Sequence, residues 1–231
     1  MVCFIGSEVK MKLWIEALVK FICGLLLVGL LIFLPAGTFV YPCGWLLCGL
    51  LFGPMLIAGL VMLFKSPDFL KKRLDGKEKQ SKQKGVIAFS GLMFIAGFVV
   101  AGLDFRFGWS DVPTWVIIVA SIMFLAAYTL YAEVMRENAY LSRTIKVEEG
   151  QKVVDTGLYG VVRHPMYSAT ILLFLMIPLV LGSWYALIAY AFYPLIIIIR
   201  LKDEEALLTK ELSGYSQYKQ KVKYRLIPFV W

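Results

Sequence analysis

The sequence has few charged residues and long stretches with none. Only 17% of its 231 residues are Asp, Glu, Lys or Arg, and 60% are hydrophobic, whereas about a quarter of the residues in a soluble domain are charged. The uncharged stretches are residues 21–64, 85–103, 112–132 and 165–199. Because a helix needs about 20 mainly apolar residues to cross a bilayer, this distribution excludes an ordinary soluble domain and predicts an integral membrane protein.

Histidine and closely spaced cysteine pairs are also scarce. His164 is the only histidine, and Cys3, Cys23, Cys43 and Cys48 form no CxxC pair. Structural and catalytic zinc sites are usually built from several His and Cys ligands, so we expect no metal site. The cysteines lie mainly in or beside apolar segments, where they are expected to act as small packing residues.

The apolar stretches predict an all-α integral membrane protein of about five to six transmembrane helices, with a C-terminal helical hairpin and a cytoplasmic tail helix. The predicted spans are 13–34, 44–64, 86–103, 113–135, 166–182 and 184–200. The last two are short and are separated by the turn Gly182-Ser183. Pro178 and Pro194 predict kinks within this hairpin. We divide the single membrane domain into N-terminal transmembrane helices, residues 1–130, and a functional region, residues 131–231.

The positions of the basic residues predict the orientation in the membrane. With six crossings, 23 of the 24 Lys and Arg residues lie on one side and only Arg106 on the other. Because basic residues concentrate in cytoplasmic loops, both termini are expected in the cytoplasm. Orientation and anionic headgroups therefore explain the net charge of +8 better than nucleic-acid binding does. Residues 65–84 begin as an interfacial helix, with Phe69, Leu70 and Leu74 on one face, or form a solvated connector.

Polar and aromatic residues cluster in two blocks on either side of the hairpin. The first block runs from Glu149 to Ser168, and the second from Arg200 to Pro228. A hairpin returns the chain to the face that it left, so the two blocks are expected to converge on one cytoplasmic pocket. Taken singly, the charged residues of these blocks could equally be interfacial anchors.

The first block carries residue types suited to binding an anionic group. Gly157 and Gly160 allow the backbone to approach a ligand closely. Pro165 suits the first turn of a helix, and Arg163 and His164 come directly before it. A cation, an imidazole and free backbone N–H groups at a helix start favour a carboxylate or phosphate. In the second block, Arg200 and Glu204 have the i, i+4 spacing of a helical ion pair.

These blocks resemble the isoprenylcysteine carboxyl methyltransferases and, more broadly, the membrane phospholipid methyltransferases. The motifs are G-L-Y-x-x-V-R-H-P-M-Y at 157–167, R-x-x-x-E-E at 200–205, and a tail with G-Y-x-x-Y followed by Y-R-L-I-P. The resemblance covers residues 131–231. The tail departs from the usual pattern at Leu212-Ser213-Gly214-Tyr215, which is one residue shorter.

The resemblance implies an S-adenosylmethionine-dependent methyltransferase with its cofactor on the cytoplasmic face and a lipophilic acceptor that enters from the bilayer. The implied cofactor-binding residues are Gly157, Leu158, Tyr159, Arg163, His164, Pro165, Tyr167, Tyr215 and Tyr218. The implied catalytic residues are Arg200, Glu204 and Glu205. The acceptor is the carboxylate of a prenylcysteine-like molecule or the amine of a phospholipid headgroup, and both remain open.

These residue types suit methyl transfer, an in-line displacement in which positioning supplies most of the catalysis. Arg200 can hold a carboxylate acceptor through two hydrogen bonds. An amine acceptor must instead lose a proton, and Glu204 or His164 can take it. Tyrosine rings of the site can face the positively charged sulfonium of the cofactor.

Two other functions are compatible with parts of the pattern. Membrane sterol reductases have a similar tail and use a nicotinamide cofactor, but the Arg-His-Pro-x-Tyr segment and the paired glutamates favour a methyltransferase. A transporter or non-enzymatic scaffold is disfavoured, because transporters usually have internal repeats and polar residues at mid-membrane. No repeat is visible, and the centres of the spans carry no charge.

Overall fold

The computed structural model describes the backbone of residues 2–74, 81–141, 145, 147 and 150–231, and the side chains of these ranges except 2–10 and 81–82. Within these ranges the regular structure is entirely helical, which confirms the predicted all-α class. The helices are α1 (Val2–Ala36), α2 (Pro42–Lys65), α3 (Pro67–Leu74), α4 (Ser81–Phe107), α5 (Thr114–Glu137), α6 (Pro165–Val180), α7 (Trp184–Tyr190), α8 (Tyr193–Glu211) and α9 (Tyr215–Lys221), with a 3-10 turn at Gly157–Gly160.

Five helical stretches of the described chain are long and apolar enough to cross a membrane. They are Met11–Ala36, Pro42–Lys65, Gln83–Phe107, Thr114–Glu137 and Trp184–Glu211. α6 is apolar but has only 16 residues, a length of about 24 Å. Large apolar side chains such as Leu26 and Leu34 point outward and are about two-thirds exposed, as expected for surfaces that contact lipid. The chain is therefore an integral membrane protein.

The hairpin of α6 and α7 extends to the end of the bundle that is opposite the two polar blocks. Its turn lies beside the α1–α2 and α4–α5 connections. From the first of these, the Tyr41 hydroxyl donates to the Leu181 carbonyl at 2.6 Å. The Ser183 hydroxyl donates to the buried carboxylate of Asp104. The Ser110 backbone N–H also donates to Asp104, at 2.7 Å. These hydrogen bonds fix the turn, so α6 traverses the bundle despite its short length.

The two hairpin prolines occupy different helical positions. Pro178 lies in the last turn of α6. Pro194 lies in the first turn of α8, after a break at Ala191-Phe192. The sequence predicted a kink at Pro194 within one helix, and that prediction is wrong. The helix instead ends before Ala191 and a new helix begins at Tyr193, because proline suits the first turn of a helix better than its interior.

The connector between α2 and α4 begins with the helix α3. Leu70 is buried, and Phe69 packs against a cluster of Val134, Leu141 and Tyr159 at the end of the bundle that carries the polar blocks. The helical alternative predicted for this segment is therefore confirmed up to Leu74, and residues 75–80 lie outside the described part of the chain.

Glycines fix the position of α4 at the centre of the bundle. A Cβ atom on Gly97 would lie 2.3 Å from the Tyr190 ring, and one on Gly102 would lie 2.5 Å from the Ile32 carbonyl oxygen. Small residues at such points let membrane helices pack closely. α4 is thereby held against α1 and α7.

Candidate functional site

A pocket opens at the end of the bundle where the two polar blocks meet. Its walls come from the segment after α5, residues 151–154, the 3-10 turn, the start of α6, α8 and α9. Its empty space, counted to include the part open to solvent, is about 840 Å³. Eight of the twelve predicted site residues line it: Tyr159, Arg163, His164, Tyr167, Arg200, Glu204, Tyr215 and Tyr218.

Tyr167 connects the two polar blocks across the pocket. Its hydroxyl accepts a hydrogen bond from Arg200 Nε at 3.1 Å and donates one to the Glu204 carboxylate. The His164 ring stacks on the Tyr167 ring, with centroids 5.6 Å apart. The i, i+4 pair that the sequence predicted between Arg200 and Glu204 is thus joined through Tyr167, which holds both charges toward the pocket.

Glu205, the neighbour of Glu204, faces away from the pocket into a cluster of cationic and imidazole groups. Its Oε1 lies 2.6 Å from Arg163 Nε and 3.3 Å from His164 Nε2, and its Oε2 lies 3.1 Å from Arg225 Nε. The residue is only 5% exposed. A buried carboxylate is tolerated when it is paired and hydrogen-bonded in this way, so Glu205 ties α8 to the segment before α6 and to the tail.

The tail runs beside the segment that precedes α6. The Arg163 backbone N–H donates to the Tyr224 carbonyl and the His164 N–H to the Arg225 carbonyl, both at 2.9 Å. The sequence had predicted free N–H groups at this helix start for an anionic ligand. That expectation fails for these two, because the tail, about 60 residues further along the chain, supplies their acceptors.

The Arg163 guanidinium is bound by the protein on several sides. Besides its ion pair with Glu205, its Nη1 donates to the Val222 and Lys223 carbonyls at 2.9 and 3.0 Å. The same side chain still lines the pocket. Through these contacts with Glu205, Val222 and Lys223, Arg163 holds the tail and α8 together at the pocket wall.

Gly157 and Leu158, which the sequence placed at the ligand, are held by the end of α5. The Leu158 N–H donates to the Glu137 carboxylate at 2.9 Å. A Cβ atom on Gly157, whose φ is +55°, would lie 1.8 Å from that carboxylate. The group that lies close to the Gly157 backbone is therefore the Glu137 carboxylate of the protein itself. Pro165 begins α6 as predicted.

Two tyrosines of α9 close the pocket from the tail side. The Tyr218 hydroxyl donates to the Tyr159 carbonyl at 2.7 Å. The Tyr215 hydroxyl is buried and has no hydrogen-bond partner among the described residues. Burial, followed by the charges of Glu205 and Glu204, raises the pKa of Tyr215 above its ordinary value, so this hydroxyl remains a protonated donor at physiological pH.

Three further polar residues support the site and were not identified from the sequence. Glu137 holds the 3-10 turn, as described above, and Asn138 Nδ2 donates to the Tyr159 hydroxyl at 3.0 Å. Gln83, on α4, accepts a hydrogen bond from Arg200 Nη1 at 3.3 Å. A Glu-Asn pair at the end of an apolar helix is a weak signal for the first two, and no spacing relates Gln83 to the second block.

The fold and the pocket define an all-α integral membrane protein with a polar, tyrosine-rich site at one end of its helix bundle. Residues 115–215 match the model of the family described as phospholipid methyltransferase. The match supports the family resemblance carried by the motifs. The matched region contains all of the predicted site residues except Tyr218.

The chain is also similar to a Delta(14)-sterol reductase from Methylotuvimicrobium alcaliphilum. The two sequences are 24% identical over 136 residues, which make up 52% of this chain and 32% of the reductase. The chain thus spans about a third of the length of the curated relative that it matches.

Proposed function

We propose that the protein is an S-adenosylmethionine-dependent methyltransferase that acts on a lipophilic acceptor from the bilayer. The observation that carries this proposal is the convergence of residues from all three motifs on one pocket, within a region that matches the phospholipid methyltransferase family. The proposed cofactor site is the part of the pocket between the 3-10 turn, the start of α6 and α9.

The residues of the pocket fit the chemical groups of this cofactor. S-adenosylmethionine supplies an electrophilic methyl group on a positively charged sulfur, together with adenosine and amino-acid moieties. The rings of Tyr159 and Tyr167 can face the cation. The buried Tyr215 hydroxyl, without a partner among the described residues, can donate to a polar atom of the cofactor, and such a bond would remove the cost of its isolation.

Glu204 is the proposed base if the acceptor is an amine. It lines the pocket and is partly exposed, whereas His164 is buried and lies against Glu205. Of the two bases suggested by the sequence, Glu204 is therefore the better placed. If the acceptor is a carboxylate, no base is required, and Arg200 on the same wall is the group that would hold it.

The pocket is proposed to face the cytoplasm. It lies at the end of the bundle that carries α3 with Lys71, Lys72 and Arg73. Arg106, the one basic residue predicted on the other side, follows Asp104, which binds the hairpin turn at the opposite end. On this assignment residues 1–130 and 131–231 form one membrane domain with both termini inside.

A nicotinamide-dependent reductase is the second candidate. It is favoured by the similarity to the Delta(14)-sterol reductase, which covers half of this chain. The same pocket would then bind NADPH, and the Arg163–Glu205 cluster would support a different cofactor.

Thermal unfolding of the purified protein in mild detergent separates the two candidates. A ligand that binds only the folded state at 100 times its dissociation constant adds about 2.7 kcal/mol of stability. We expect S-adenosylhomocysteine to raise the melting temperature and NADPH to leave it unchanged. A rise in melting temperature with NADPH but not with S-adenosylhomocysteine would overturn the proposal of a methyltransferase in favour of a reductase.

A pair of tyrosine variants tests where the cofactor binds. Tyr215 and Tyr190 both carry buried hydroxyls without a described partner, but only Tyr215 lines the pocket. Removing a hydrogen bond costs about 1 kcal/mol, so Tyr215→Phe should weaken S-adenosylhomocysteine binding about fivefold in equilibrium titrations. Tyr190→Phe is the control and should bind as wild type does. Equal affinities in the two variants would place the cofactor elsewhere.

A further inference from the structure

Gln83 is a buried polar residue that belongs to neither polar block. It lies in the first turn of α4, outside residues 115–215 that match the family model, and its exposed fraction is 0%. Its side-chain amide reaches α8 with both ends: Nε2 donates to Asp203 Oδ2 at 2.9 Å, and Oε1 accepts from Arg200 Nη1 at 3.3 Å. A buried amide is satisfied when both ends are bonded in this way.

The two partners of Gln83 are opposite charges on the same helix. Arg200 and Asp203 are three residues apart on α8, a spacing at which such side chains pair directly. The Gln83 amide lies between them as a neutral group that can donate to one and accept from the other. Arg200 is thereby held where its Nε donates to Tyr167.

We propose that Gln83 is a positioning residue for methyl transfer. It prevents Asp203 from drawing the Arg200 guanidinium away from Tyr167, and so keeps the Arg200–Tyr167–Glu204 chain facing the pocket. The inference rests on the proposed function and adds to it a role for the N-terminal half of the chain. In this role α4 is part of the active site's framework as well as a membrane anchor.

The first test replaces the amide by an apolar side chain of similar size. Gln83→Leu should reduce single-turnover methyl transfer by about 10- to 100-fold, because small misplacements of catalytic groups have effects of this size. The affinity for S-adenosylhomocysteine should stay within about threefold of wild type. The acceptor in the assay is a prenylcysteine analogue or phosphatidylethanolamine in mixed micelles, whichever the wild type methylates.

The second variant separates positioning from a merely structural role. If the pull of Asp203 causes the loss, Gln83→Leu combined with Asp203→Asn should recover much of the rate, because the charge that attracts Arg200 is gone. A packing defect at Gln83 would not be repaired by a change on α8. Gln83→Asn keeps an amide that is one methylene too short to reach both partners, and it should also be slow if the leucine variant does not fold.

The outcomes distinguish this inference from the proposed function. A double variant as slow as Gln83→Leu, a wild-type rate in Gln83→Leu or Gln83→Asn, or loss of S-adenosylhomocysteine binding together with the rate would each overturn the positioning role. Wild-type protein that neither binds S-adenosylhomocysteine nor transfers a methyl group would overturn the proposed function, and the inference with it.

Discussion

Glu204 and Glu205 are adjacent in sequence but have different surroundings. Successive residues of a helix are rotated by about 100° around its axis, so one glutamate of α8 faces the pocket and the other faces the tail. Glu204 accepts from Tyr167, while Glu205 is in contact with Arg163, His164 and Arg225. The motif of paired glutamates therefore combines one residue that lines the pocket with one that joins α8 to the segment before α6 and to the tail.

This difference predicts opposite effects of the same substitution. Glu204→Gln should slow single-turnover methyl transfer on the order of a hundredfold, because it removes a charge or base at the reacting groups, and should leave the melting temperature nearly unchanged. Glu205→Gln should lower the stability by about 3 kcal/mol or more, because two arginines lose their buried counter-charge.

Each variant is the matched control of the other, since both lose one carboxylate on the same turn of α8. Calorimetry and single-turnover assays on both proteins decide the matter. A stability loss in Glu204→Gln with a rate loss but normal melting in Glu205→Gln would exchange the two roles.

At the scale of helices, the features that were predicted correctly from the sequence are those that depend on local signals. The apolar runs correspond to α1, α2, α4, α5, α6 and α7–α8, and Pro165 begins α6 as expected. Run length and proline position act within one helix, so they can be read without knowledge of the neighbours. The break before Pro194 and the pairing of the tail with the Arg163 segment could not be read in this way, because they depend on contacts between distant segments.

The candidate site was predictable in part for the same reason. A hairpin was expected to bring the two polar blocks together, and in the structure eight of the twelve predicted site residues line one pocket. This expectation could not separate Glu204 from Glu205 or foresee that Glu137 would approach Gly157. It also missed Gln83, since no periodicity relates a residue on α4 to one on α8 that is 117 positions away.

The tail segment is expected to be essential for cofactor binding. Deleting residues 224–231 removes the carbonyl acceptors of the Arg163 and His164 N–H groups and the Arg225 contact with Glu205. We expect at least a tenfold weaker affinity for S-adenosylhomocysteine and a lower melting temperature, because buried groups are left unpaired.

Val230→Ser provides the control for this deletion, since Val230 is 74% exposed and its change should alter neither quantity. Wild-type affinity in the truncated protein would mean that the tail is not part of the cofactor site.

At the scale of the whole molecule, the orientation in the membrane is testable by labelling. Asp111→Cys lies near the hairpin turn, and Ser216→Cys lies on α9 beside the pocket; both positions are exposed. In a background with the native cysteines replaced, a membrane-impermeant thiol reagent should label Cys at 111 in intact cells. Cys at 216 should react only after permeabilisation, as the basic asymmetry requires. The reverse labelling pattern would invert the topology.

The hydrogen bonds of the hairpin turn to Asp104 and Tyr41 have a mechanical consequence for the pocket. α6 carries Tyr167 and α8 carries Glu204, which meet at the pocket, whereas the turn after α6 is bonded to Tyr41 and Asp104 at the other end of the bundle. Over the roughly 24 Å length of α6, a rotation of about 5° at that turn displaces the pocket end by about 2 Å. Such a displacement is enough to break the hydrogen bond between Tyr167 and Glu204, so the alignment of these two pocket residues depends on contacts made at the opposite end of the bundle.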